Sequence, residues 1–279
     1  MKNTKELKLM ANTIRQDIIR MLVEAKSGHP GGSLGMADIF TVLYFHVLRH
    51  DPKSPTWIDR DRFVLSNGHI CPVLYATLAN AGYFPKQELL SLRKLGSKLQ
   101  GHPHKGTLPG VENSSGPLGQ GISQAVGMAI VGKREKKSWR VYSVVGDGEL
   151  DEGQTWEAIM LAAKYKLDNL ITVVDRNNIQ IDGTTDDVLP LEPLADKFRA
   201  FGWCVIEMAG NDVNSIIKAI GEAQTVSGQP IVLIARTMPG KGVSFMEGKF
   251  DWHGKAPNRE QGELAIKELE TERKLLEVG

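Results

Sequence analysis

A doubly wound α/β fold, in which helices flank both faces of a mainly parallel sheet, is what this 279-residue sequence predicts. Two observations predict it. From residue 120 onward, short apolar runs alternate with segments of helical period: helix Gln120 to Lys133, strand Val141 to Val145, helix Thr155 to Tyr165, strand Leu170 to Asp175, strand Trp203 to Met208, helix Val213 to Ala223 and strand Ile231 to Thr237. Several of these strands are apolar throughout, the pattern of strands covered by helices on both faces.

The amino-terminal part reads as helices around one more strand. Leu7, Leu9, Ile14, Ile18 and Leu22 make residues 4 to 26 an amphipathic helix. Ser27-Gly28-His29-Pro30-Gly31-Gly32 ends it, and its glycines and proline predict a loop. A second helix is expected from Met36 to Leu48, then a polar connection from Asp51 to Asp59, the strand Phe63 to Ser66, a turn at Asn67-Gly68-His69 and a helix from Val73 to Ala81. Gly96 to Gly121 is rich in Gly, Pro and Ser, and a loop of that length inside a compact domain is usually functional or disordered; its glycines favour function. The carboxyl end carries Leu and Ile at helical spacing between charges, so residues 259–279 are expected to form a helical tail on one domain spanning 1–279.

Composition narrows the function classes. The 34 Lys and Arg balance 33 Asp and Glu, which gives no electrostatic pull toward nucleic acid or an acidic membrane. The amino terminus lacks the apolar core of a signal peptide, and no run is long enough to span a bilayer. Cys71 and Cys204 are too few for a disulfide framework or a four-cysteine metal site. A cytoplasmic protein with free thiols is the expectation.

The strongest chemical signal is Gly146-Asp147-Gly148 at the end of one apolar strand, followed by Asn177 just after the next. Neighbouring strand ends of a parallel sheet deliver their loops to one crevice. A carboxylate, an amide oxygen and a backbone carbonyl make a partial oxygen shell suited to Mg²⁺, and the ligand completing that shell is expected to bring a diphosphate. Taken alone, Gly-Asp-Gly reads equally well as a strand-to-helix turn with Asp147 as a cap. Gly116-Pro117-Leu118-Gly119-Gln120-Gly121 opens a helix, where free amides and the dipole favour an anion. Loop rather than strand precedes it and no Lys-Ser/Thr follows, so neither a dinucleotide fingerprint nor a Walker loop fits; a plain glycine turn stays open. His29, His69, His102 and His253 each sit on an expected loop beside small residues. Singly, each reads as an ordinary surface or structural histidine; as a set, they suit holding hydroxyls and phosphate or moving protons near neutral pH.

From Gly146-Asp147-Gly148 to Asn177-Asn178-Ile179 the sequence resembles the thiamine diphosphate signature. Glu149-Leu150-Asp151-Glu152-Gly153, Ser27-Gly28-His29-Pro30-Gly31 and the Gly116 to Gly121 segment resemble its transketolase version. The resemblance implies the thiamine diphosphate-binding fold, with Asp147, Asn177 and the Ile179 carbonyl binding Mg²⁺, for which Ca²⁺ or Mn²⁺ substitutes. It implies that Gly116, Leu118, Gly148, Glu152, Asn177, His69 and His253 contact the cofactor, that His29, His102, His253 and Glu152 are catalytic, with His102 and His29 facing the transferred two-carbon unit, and that Glu152 and Glu157 lie where two cofactor-binding halves meet. Arg236 to Gly242 resembles a segment leading toward the loop histidine, although a plain strand-ending turn describes it too. His46 and His50 receive no role, and His104 stands where many full-length transketolases carry an acid.

The resemblance runs from Ser27 to about Pro257 but covers only the diphosphate-binding module. In this family a glutamate on a separate pyrimidine-binding module switches the cofactor on. The expectation is therefore the N-terminal subunit of a split transketolase that moves a two-carbon ketol unit between sugar phosphates. Its partner is a C-terminal subunit, in an assembly of two of each chain. The alpha chain of a 2-oxo acid dehydrogenase, a deoxyxylulose-phosphate synthase and a non-catalytic cofactor-binding protein are the alternatives.

Overall fold

The structure, a computed structural model, describes residues 2–278. Five parallel strands form the central sheet: β1 (Arg62–Leu65), β2 (Val141–Gly146), β3 (Leu170–Arg176), β6 (Cys204–Ala209) and β7 (Ile231–Arg236), in the order β1-β2-β3-β7-β6. Each is close to its expected position, and β2 and β3 are buried along their whole length.

Side chains alternate across the sheet because successive Cβ atoms point to opposite faces. Phe63 and Leu65, Tyr142 and Val144, Ile171 and Val173, and Ile231 and Leu233 enter one core. That core is closed by α1 (Thr4–Ala25), α3 (Ala37–Val42), α4 (Cys71–Ala81), α9 (Val213–Ala223) and α10 (Arg259–Val278). Val64, Val141, Val145, Leu170, Val174, Val232 and Ile234 enter a second core beneath α5 (Gln120–Arg134), α6 (Gly153–Lys164) and α8 (Leu194–Ala200). Ser143 and Thr172 lie buried in neighbouring strands and bond each other at 2.8 Å, so neither hydroxyl is left unpaired.

Three local expectations change. Residues 27–32 are not all loop: Pro30 opens a short helix, α2 (Pro30–Gly35), at a position where its missing N–H costs nothing. The single helix expected from Met36 to Leu48 divides into α3 and a π-helical turn over Leu43–Val47, closed by the Leu48 N–H on the Leu43 carbonyl at 2.7 Å. The wider turn accompanies a fixed His50, whose Nε2 meets the Tyr44 carbonyl at 2.7 Å and whose Nδ1 meets the Tyr83 hydroxyl at 3.0 Å. Between residues 179 and 200, where no element was expected, lie the small antiparallel pair β4 (Ile179–Gln180) and β5 (Gly183–Thr184), then α7 (Thr185–Val188) and α8. Their polar text carries no period, so their fold depends on tertiary contacts.

At the termini, α1 begins with a capping box in which Asn3 and Glu6 bond each other's backbone N–H groups. The expected tail is α10, packed along α1; residue 279 lies outside the described residues. Cys71 is buried and Cys204 half-buried, and both are free thiols. Among the described residues no helix is long and apolar enough to cross a membrane.

Candidate active site

The carboxyl ends of β1, β2, β3 and β7 leave the sheet on one edge, and the parallel order brings their loops together. A cavity of about 250 Å³ opens there, lined among others by His29, His69, His102, Gly116, Leu118, Asp147, Gly148, Asn177, Ile179 and His253. The tertiary structure thus gathers the sequence-predicted site residues except Glu152, exposed at the start of α6 beside the Gly119 turn, and Glu157, exposed within α6.

Asp147 is held from two directions. Its Oδ1 accepts the Gly148 N–H at 2.9 Å, and its Oδ2 accepts the Asn178 N–H at 2.7 Å and Arg176 Nη1 at 3.1 Å. Asn178 reaches it by adopting φ 59°, a left-handed conformation that asparagine tolerates better than most residues. Burial pushes the Asp147 carboxyl up to about 6 against the lowering pull of these donors. Asn177 Nδ2 donates to Asp175 at 2.9 Å while its Oδ1 accepts the Ile179 N–H at 2.9 Å. Those bonds fix which side of the amide carries oxygen. One carboxylate, one amide oxygen and the Ile179 carbonyl form a hard oxygen set that fits Mg²⁺ with positions left for phosphate oxygens and water. Among the described residues no group of three His, Cys, Asp or Glu forms an alternative metal site.

Three of the four expected histidines form one cluster. The rings of His29 and His69, and of His69 and His253, lie 5.1 Å apart by centroid, and those of His29 and His253 lie 5.5 Å apart. His29 precedes α2, where the Ser33 hydroxyl donates to its carbonyl at 2.7 Å. The Gly254 backbone comes so close that a Cβ there would sit 3.5 Å from the His29 ring. Burial pushes His29 down to about 4, with His253, Arg93 and His102 adding to the effect. Burial also lowers His69, His102 and His253, so the cluster is neutral near pH 7. His29 Nδ1 and Asn67 Oδ1, both in residues that line the cavity, are buried without a partner, as expected of atoms reserved for a ligand. Gly116 has φ +152°, a backbone conformation that residues with a side chain rarely adopt, and it packs beside the His102 ring.

The start of α5, expected to favour an external anion, meets an internal one. Glu149, only 2 % exposed, accepts the Gly119 N–H at 2.7 Å, the Gly146 N–H at 3.1 Å and the Ser66 hydroxyl. Sequence reasoning missed Glu149 because it stands in a run of acids. It also missed Asp175, whose signal was legible: a carboxylate in an otherwise apolar strand. Asp175 accepts from Thr237 and Asn177, and burial pushes its carboxyl up to about 7. The segment after β7 packs against the start of α2, with the Gly240 N–H donating to the Gly31 carbonyl at 2.8 Å.

Comparison with known proteins shows the family. The model of the transketolase thiamine diphosphate-binding domain matches residues 6–274. The chain belongs to the transketolase family. It is 42 % identical over 267 residues to the 6-deoxy-6-sulfo-D-fructose transketolase subunit of Clostridium sp. (strain MSTE9), covering 96 % of this chain and 97 % of that one. To an apulose-4-phosphate transketolase subunit of Actinobacillus succinogenes it is 43 % identical over 268 residues, covering 96 % and 97 %. Human transketolase is 42 % identical, but the match spans 94 % of this chain and 42 % of the human protein. The crystal structure of Campylobacter jejuni transketolase superposes with a TM-score of 0.91 at 39 % identity over 98 % of this chain and 43 % of that chain. The transketolase chain therefore has the length of the subunit-type relatives and carries the family's thiamine diphosphate-binding domain.

Proposed function

We propose that this chain supplies the diphosphate and metal half of a two-subunit transketolase, moving a two-carbon ketol unit from a ketose phosphate to an aldose phosphate in the cytoplasm. The observation that carries the reading is the convergence of Asp147, Asn177 and Ile179 with His29, His69, His102 and His253 in one cavity. Asp147, Asn177 and the Ile179 carbonyl would hold Mg²⁺, with Ca²⁺ or Mn²⁺ as substitutes, and so fix the diphosphate. When bound, thiamine diphosphate supplies the carbanion chemistry that cleaves the bond beside the ketose carbonyl and retains two carbons for the acceptor.

This chain's residues do the positioning. His69 and His253 donate to diphosphate oxygens, Leu118 packs against an apolar ring, and Gly116 and Gly148 keep the backbone close. His29 and His102 hold sugar hydroxyls and exchange protons with them; as neutral imidazoles they offer a donor and an acceptor each. Glu152 acts at the junction with the second half. The single domain over 1–279 is part of this reading, supported by one main sheet covered on both faces.

A partner carrying the pyrimidine-binding module, in an assembly of two of each chain, is supported by the surface of α5 and α6. Val131, Met160, Leu161 and Tyr165 are exposed there at 49, 53, 41 and 48 %, an apolar surface of the kind that marks an interface. The test mixes this chain with candidate partner chains, thiamine diphosphate and Mg²⁺, and follows ketol transfer from xylulose 5-phosphate to ribose 5-phosphate and to other aldose phosphates. Transfer is expected only in the mixture. Full turnover by this chain alone sinks the two-subunit reading.

A further inference from the structure

We propose that Arg176 is a positioning residue that ties the candidate metal carboxylate of Asp147 to the covering segment Asn178–Glu192, fixing both before any metal arrives. The inference rests on the proposed metal role of Asp147 and extends it to a residue that lines no part of the cavity wall.

Arg176 ends β3, immediately before Asn177, and its side chain is 6 % exposed. Its Nη1 reaches Asp147 Oδ2 at 3.1 Å, Asn178 Oδ1 at 3.1 Å and Thr185 Oγ1 at 2.6 Å. The Thr185 hydroxyl then donates to Asn178 Oδ1 at 2.5 Å, which closes the polar cluster. On the other arm, Nη2 lies 3.3 Å from Glu192 Oε1 and 3.6 Å from Asp186 Oδ1. One guanidinium thus joins the end of β2, the loop after β3, α7 and the approach to α8.

The fork also decides how Asp147 can bind. Oδ2 is already engaged by two donors, the Asn178 N–H and Arg176, whereas Oδ1 accepts only the adjacent Gly148 N–H. A carboxylate held this way offers a cation its Oδ1 and binds through one oxygen. The positive charge of Arg176 opposes a nearby cation, so its contribution is geometric: a planar guanidinium with several donors in fixed directions. A lysine keeps the charge but cannot bridge Asp147, Thr185 and Glu192 at once.

Arg176→Lys in the full chain separates geometry from charge. Without ligand, amide hydrogen exchange of residues 179–192 is expected to accelerate at least about tenfold, while that of Leu170–Val174 stays as in the parent. With thiamine diphosphate present, Mn²⁺ affinity, read from the paramagnetic resonance of free Mn²⁺, is expected to fall about 10- to 100-fold, the range for contacts behind a metal ligand. A purely structural role would lower thermal stability and leave Mn²⁺ affinity of the folded protein unchanged; that result overturns the proposal, as does parental exchange in the variant. Thr185→Val, which cuts only the segment side of the tie, is expected to reproduce the faster exchange with a several-fold loss of affinity. It decides the matter if Arg176→Lys does not fold, since parental exchange in Thr185→Val also overturns the proposal. If the parent itself binds no Mn²⁺ with thiamine diphosphate, the metal reading of Asp147 fails, and the ligand-free exchange still decides the tie.

Discussion

The two sides of the cavity are built differently. On the metal side, Asp147 and Asn177 stand at the ends of buried strands with their polar atoms engaged by Gly148, Asn178, Arg176, Asp175 and Ile179. On the histidine side, His29 stands at the start of α2, His69 lies in a 3-10 turn over Gly68–Ile70 and His253 closes another over Phe250–Trp252; they pack ring against ring and leave His29 Nδ1 without a partner. One side is completed by the chain's own bonds; the other keeps neutral, desolvated groups for a ligand to satisfy. Rigidity is invested where a small cation demands fixed oxygen geometry, and unspent hydrogen-bonding capacity where a larger polar substrate must be met.

The largest test of that contrast is Asp147→Asn, which keeps the shape and one of the two acceptor oxygens but removes the charge. Mn²⁺-dependent binding of thiamine diphosphate, measured by titration calorimetry, is expected to fall more than about 100-fold, beyond what contacts behind a ligand usually cost. Unchanged affinity would refute the metal assignment. His69→Asn on the other side is expected to weaken cofactor binding about tenfold, one lost hydrogen bond to a charged group, while Mn²⁺ is still required. Loss of the metal requirement in that variant would mean the two sides are not separate.

Acid should act on both sides, by opposite protonation logic. Asp147 must be ionised to hold a cation and its carboxyl lies near 6, so metal affinity is expected to weaken about tenfold per pH unit below that value. A pH-independent affinity between 4 and 7 would contradict it. The histidines are buried neutral: His29 is held to about 4 and His69 well below its ordinary value, whereas the unfolded chain binds those protons near pH 6.5. The histidines therefore lower ligand-free stability as pH falls from about 6.5, while Asp147 and Asp175, raised to about 6 and about 7, take up protons in the folded state and oppose that loss. Urea midpoints at pH 7.5 and 5.5 isolate the histidine share: on acidification His29→Asn should lose less stability, or gain more, than the parent, and an identical change in the variant would show that His29 contributes nothing to it.

Much of this was legible in advance, for reasons that particular residues make plain. Strands such as Leu170–Arg176 and Ile231–Arg236 announce themselves because burial on both faces demands near-continuous apolar side chains. Asp147 and Asn177 stand out because they follow such strands directly. Arg176 and Glu149 did not stand out: each looks like an ordinary charged residue, and only the partners that surround it, Thr185 and Glu192 for one and Ser66 and Gly119 for the other, give it a place.

The sequence by itself determined the alternation of strands and helices, the apolar faces that sandwich the sheet, and the strand ends and glycine-rich breaks near which the metal-side and histidine residues lie. Local pattern suffices for these because period and burial are properties of short segments. Only the tertiary structure decided the order β1-β2-β3-β7-β6, which sets β7 beside β3 and brings Thr237 to Asp175, and the meeting of His29, His69 and His253. It also decided that Arg176 meets Asp147, Asn178, Thr185 and Glu192 at once. Contacts between residues far apart in the chain depend on how the layers stack, and no local periodicity encodes that.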